Sequence, residues 1–69
     1  MRVEKFLRNV SSTEVIGLYT PDGDHIGNFN AYRIPEEYKN IKVKSVWSGI
    51  FVTEDKLSHA KLNITLKEI

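Results

Sequence analysis

Asp22, Asp24 and His25 bring two carboxylates and an imidazole into one short stretch, the one place in this chain where oxygen and nitrogen ligands crowd together. A calcium loop of the EF-hand type would need more oxygen ligands at set positions and a distal bidentate glutamate, and neither follows here. Asp22-Gly23 is turn chemistry in its own right, and that is the reading adopted, with no metal and no other cofactor expected. His25 and His59 are the two histidines. An imidazole titrates near neutrality and can act as a general base, but neither stands at a recognisable spacing from a nucleophile and an orienting group. The chain has no cysteine, so a catalytic thiol, a disulfide framework and a thiolate zinc site are all excluded. Small cores rarely enclose a ligand pocket of the usual ~300 Å³ or more. The expectation is a non-enzymatic protein with no evident small-molecule substrate.

A second group has binding rather than catalytic character. Tyr38, Lys39, Lys42 and Lys44 lead into Trp47, with Tyr32 and Arg33 just upstream. Cations interleaved with aromatic rings are what single-stranded nucleic-acid binders use, the rings for stacking and the cations for phosphate. On a strand Lys42 and Lys44 point the same way. The competing reading is structural, because outward lysines also protect an edge strand and aromatic rings also fill the core of a small sheet. Ten basic against nine acidic residues give a net charge of +1, which supplies no long-range field to recruit nucleic acid or an anionic membrane. Trp47 is the pivot: buried, it belongs to the core; exposed, it belongs to a binding surface.

The elements that must position these residues are mostly strands. Ala60-Lys61-Leu62-Asn63-Ile64-Thr65-Leu66-Lys67 exchanges apolar and polar residues at every step, the period of a half-buried strand. Val15, Ile16, Leu18 and Tyr19 form a β-rich run over 14–20 that ends at Pro21-Asp22-Gly23-Asp24, the clearest hairpin signal in the chain. The return runs through Ile26, Phe29, Ala31 and Tyr32 to Pro35, where a single helical turn over Pro35-Glu36-Glu37-Tyr38 is expected. Residues 41–53 are strand-like but change phase, since Ile41 and Val43 share one face while Val46, Ile50 and Val52 share the other. A bulge near Ser45 or at Ser48-Gly49 reconciles them. Val3, Phe6, Leu7 and Val10 stand at i, i+3, i+4 and i+7, which predicts a short amphipathic helix over 2–10, with a strand as the rival reading. That helix is expected to pack on the sheet rather than lie on a membrane surface.

A chain of 69 residues makes one domain, 1–69, with a thin core, and 41% hydrophobic residues are enough for it to fold. No stretch approaches the ~20 apolar residues of a membrane span, and the charged N-terminal segment does not read as a signal peptide, so a cytoplasmic location is expected. The expected fold is α+β, mainly β: a short N-terminal helix with about four antiparallel strands in two hairpins. The expected core is Phe6, Leu7, Val15, Leu18, Ile26, Phe29, Val43, Val46, Ile50, Val52, Leu62, Ile64 and Leu66. So small an open sheet leaves two edges and one uncovered face, which predicts self-association or a protein partner.

Val3-Glu4-Lys5-Phe6-Leu7, the run Val15-Ile16-Gly17-Leu18-Tyr19 into Asp22-Gly23-Asp24-His25-Ile26-Gly27, Ile34-Pro35-Glu36-Glu37-Tyr38 and Val43-Lys44-Ser45-Val46 together form a familiar layout. It resembles that of short accessory proteins of phages and mobile elements of Gram-positive bacteria. The resemblance implies an intracellular bacterial setting and a role through binding, as in modulation of a host protein; it supplies no site residues. The leading expectation is a protein-binding module. The alternative is a small β domain that binds single-stranded nucleic acid.

Overall fold

A computed structural model describes residues 1–68. Helix α1 spans Val3–Leu7, strand β1 Val15–Tyr19, strand β2 His25–Asn30, a 3₁₀ turn Ala31–Arg33, helix α2 Glu36–Lys39, strand β3 Val43–Val52 and strand β4 Ser58–Leu66. The chain is α+β and mainly β. The expectation of antiparallel pairing throughout is corrected: in the sheet order β2-β1-β4-β3, β1 runs parallel to β4, while β2 on β1 and β3 on β4 are antiparallel. Parallel neighbours need a long crossover, here everything from β2 to β3, so the pairing is specified by distant packing and leaves no local sequence signal. What local signal exists is in β1 itself, where Ile16, Gly17 and Leu18 are all buried, as befits a strand with neighbours on both sides.

One face of the sheet carries the core. Ile16 and Leu18 of β1 stand beside Leu62 and Ile64 of β4, Leu66 continues the β4 row, and Val3, Ala31 and Ile34 close over them from the helical side. Phe6, Leu7, Val10, Ile26, Phe29, Tyr38, Ile41, Val43 and Leu62 pack around this centre. The N-terminal segment is tied to the start of β3, the Val3 amide donating to the Ile41 carbonyl at 2.9 Å and the Val43 amide to the Met1 carbonyl at 2.7 Å. That anchors α1 over the Val43–Leu66 end. The helix is shorter than its apolar spacing suggests, since after Leu7 the chain turns off through Arg8 and Asn9.

Four residues expected in the core are not there: Val15 falls on the opposite face of β1 from Ile16 and Leu18, and the other three belong to β3. Val46, Ile50 and Val52 do lie on the core face, opposite Ile64, Ala60 and Ser58, but they are exposed because β3 and β4 run on past the helices. Their place is taken by Val3, Ile16, Ala31 and Ile34. The phase change in β3 falls between Val43 and Ser45, where Lys44 is the extra residue of a bulge. A second bulge lies in β2: Leu18 faces Gly27 and Tyr19 faces His25, so Ile26 is extra. Without these two irregularities, neither Trp47 nor His25 would point to the face opposite the core.

Candidate ligand-binding face

The helix-free face is built from Val15, Gly17 and Tyr19 of β1, His25 and Asn28 of β2, Trp47, Gly49 and Phe51 of β3, and His59, Lys61, Asn63 and Thr65 of β4, as the registers dictate. At its centre Asn63 is only 3% exposed. Its amide lies flat across the sheet between two glycines: a Cβ on Gly17 would stand 2.5 Å from Asn63 Oδ1, and one on Gly49 2.5 Å from Asn63 Nδ2. These glycines are therefore required by close approach. Asn63 Oδ1 is buried and accepts no hydrogen bond from any of the described residues. An orphaned acceptor of this kind costs about 1–3 kcal/mol.

Lys61 is 8% exposed, and no carboxylate among the described residues pairs with it. Its Nζ donates to Asn28 Oδ1 at 3.1 Å and to the Tyr19 hydroxyl at 3.4 Å, and it lies 5.7 Å from the Tyr19 ring centroid. Asn28 Oδ1 also meets His25 Nε2 at 3.0 Å. The Tyr19 ring stands 5.0 Å from His25 and 5.1 Å from Trp47, tilted against both, so the three rings form a row above the buried amide. Further along the same face Phe51 and His59 stack at 5.2 Å. Trp47 is 42% exposed, packed on one side and open on the other.

The residues singled out from sequence do not form one surface. Trp47 belongs to the helix-free face, whereas Tyr38 packs against the core from α2. Lys39 pairs with Glu36 at 3.0 Å. Lys42 sits beside Arg2 in the bridge that holds the N-terminus, and Lys44 occupies the bulge. Asp22, Asp24 and His25 are exposed around the β1–β2 turn, where the Gly23 amide donates to the Thr20 carbonyl and Asp24 N to Thr20 Oγ1, so the carboxylates flank a turn whose bonds are made by threonine and backbone. Among the described residues no cluster of His, Asp and Glu gathers closely enough to hold a metal ion. A shallow depression of about 200 Å³ between Glu4, Leu7, Arg8, Ala31, Tyr32 and Lys39 is smaller than ordinary ligand pockets. Among the described residues no helix is long and apolar enough to cross a membrane.

Tyr19, Asn28, Lys61 and Asn63 were not legible as site residues. One signal was available: Glu4, Glu14, Asp22, Asp24, Glu36, Glu37, Glu54, Asp55 and Glu68 all fall outside the four strands, which carry Lys44, Lys61, His25 and His59 instead. The near-zero net charge conceals strands free of carboxylates, joined by segments in which acidic and basic residues nearly cancel. Comparison with protein-family models, with curated proteins and with solved structures finds no match.

Proposed function

We propose that this chain is a non-enzymatic protein-binding module, whose contact surface is the apolar strip along β3 and for which a second copy of the chain is the first partner to test. The observation that carries this reading is the exposure of Ile50 at 67% and Val52 at 62%, beside exposed Val46, on the core face of β3, with exposed Leu57 in the adjoining turn. Apolar side chains gathered on one face beside an unpaired edge are a standing invitation to association. β3 is that edge, and beyond the N-terminal bridge at Lys42 its outer backbone groups have no strand to bond. The resemblance to phage and mobile-element accessory proteins fits the same reading, with a host protein as the eventual target in a cytoplasmic setting.

The test is sedimentation velocity over a range of concentrations. The wild-type chain is expected to shift from monomer to dimer as concentration rises into the high micromolar range, and Ile50→Lys with Val52→Lys is expected to hold it monomeric with its circular dichroism unchanged. A wild-type chain that stays monomeric throughout would remove the self-association reading.

A further inference from the structure

We infer that the helix-free face binds single-stranded nucleic acid, with bases stacking on Trp47 and the Phe51–His59 pair and the backbone drawn towards the Lys61 ammonium held beside Tyr19 and Asn28. The site is distinct from the apolar strip of β3 and does not depend on it. The first support is the unpaired charge. Lys61 is buried without a carboxylate among the described residues, held by neutral Asn28 and Tyr19, so its positive charge is left for an incoming anion. The second is the orphaned Asn63 Oδ1 beneath the rings. A polar floor under an aromatic row is a poor choice for stability alone, and an apolar residue in its place would remove an unsatisfied acceptor.

Charge also decides what kind of ligand fits. An aromatic row next to acidic side chains would suit a cation, but this one already has a lysine ammonium lying 5.7 Å from Tyr19 and has no Asp or Glu on its strands. A cationic ligand is repelled, while a planar, anionic one meets a ring and a counter-charge together. Spacing separates a strand of nucleic acid from a single nucleotide. Trp47 and Phe51 are four residues apart on the same face of β3, which places the two platforms roughly 13 Å apart. Between them the Asn63 amide fills the space that a side chain at Gly49 would take, and the Lys61 ammonium lies across the same face by Gly17, Tyr19 and Asn28. One base can use one platform; occupying both requires a connected chain. Stacking of this sort tolerates any base sequence, so binding is expected to be unspecific in sequence.

The experiment is fluorescence anisotropy of a labelled single-stranded DNA of about 10 nucleotides titrated with the full chain at low salt, with a labelled mononucleotide and a labelled duplex as parallel arms. Saturable binding of the single strand is expected, on the order of micromolar, and at least tenfold weaker binding of the other two. Trp47→Ala, a change at a half-exposed position, is expected to weaken binding about tenfold or more. Lys61→Met is expected to weaken it and to flatten its salt dependence, since a released counterion is lost with each phosphate contact. If Lys61→Met does not fold, Trp47→Ala decides alone. Ile50→Lys, on the opposite face, is expected to leave binding as it is even where it abolishes self-association. The proposal is overturned by no saturable binding of the single strand, by a mononucleotide that binds as tightly, or by a folded Trp47→Ala that binds like wild type. A protein partner that shields Trp47 from quencher while no oligonucleotide binds would also overturn it.

Discussion

Asn63 is held from both sides, and that makes the two glycines beside it informative. In a strand interior, glycine to alanine ordinarily gains about 0.5–1 kcal/mol through the unfolded chain. At Gly17 the new methyl group would meet Asn63 Oδ1 at 2.5 Å, with Asn28 Oδ1 and Lys61 Nζ both at 3.1 Å, and Asn63 cannot retreat because Gly49 is the space its other end already fills. Gly17→Ala is therefore expected to lose about 1–3 kcal/mol in urea denaturation. In an Asn63→Ala background the same change is expected to be neutral or stabilising, so the double-mutant cycle should show strong coupling. Additive effects would mean that Asn63 does not lie across the glycines. None of this was legible in the sequence. Lys61, Asn63 and Thr65 read there as the wet side of an alternating strand, whereas Lys61 and Asn63 are buried beside Tyr19, Asn28 and Trp47, which come from the other three strands. Trp47 was legible as the residue on which the reading turned, since a lone tryptophan in a small sheet must be either core or surface.

The two turns linking antiparallel neighbours share a hydrogen-bond pattern. Around Thr20 the Gly23 amide donates to the Thr20 carbonyl and the Thr20 amide to the Asp24 carbonyl, both at 2.9 Å. Around Thr53 the Lys56 amide donates to the Thr53 carbonyl at 2.9 Å and the Thr53 amide to the Leu57 carbonyl at 3.1 Å. Lys56 thus takes the place of Gly23, and both have positive φ, 63° and 94°. For a lysine this conformation costs on the order of 1 kcal/mol. The second turn is helped by Asp55, which accepts from the Thr53 hydroxyl and the Leu57 amide, bonds that hold its carboxyl below the ordinary range. Lys56→Gly is expected to raise stability by about 0.5 kcal/mol once the added freedom of the unfolded chain is set against the relieved strain. Gly23→Ala, with open space around the new methyl, is expected to lower it by about 1 kcal/mol. Equal effects of the same sign in thermal melts would sink the comparison. The Asp-Gly turn was legible because its residue types announce it; its twin was not, because lysine carries no turn signal. Likewise the bulge at Lys44 showed in the sequence as a broken alternation, whereas the one at Ile26 did not, since His25-Ile26-Gly27 has no alternation to break.

At the scale of the whole molecule, the sheet is covered unevenly, and stability should follow the cover. β1 and β4 are central, each with a strand on both sides, and they carry the fully buried Ile16, Leu18, Ile64 and Leu66, with Val3 of α1 fully buried against them. β2 and β3 are edges, and β3 extends furthest from the helices. Opening free energies in small domains range from near zero at frayed edges to the global value in the core. Native-state hydrogen exchange at low protein concentration is therefore expected to place the slowest amides in β1 and in Leu62–Leu66 of β4, with those of β3 beyond Trp47 faster by orders of magnitude. Raising the concentration should slow exchange in the outer half of β3 and leave β1 as it was, because a second copy seated on that strip stabilises by mass action only what it covers. The double substitution at Ile50 and Val52 should remove the concentration dependence without touching the slow core. Uniform slowing across all four strands would instead tie association to global folding, so that the apolar strip completes the core and the chain is an obligate oligomer. Slowing confined to β2 would move the contact to the other edge of the sheet.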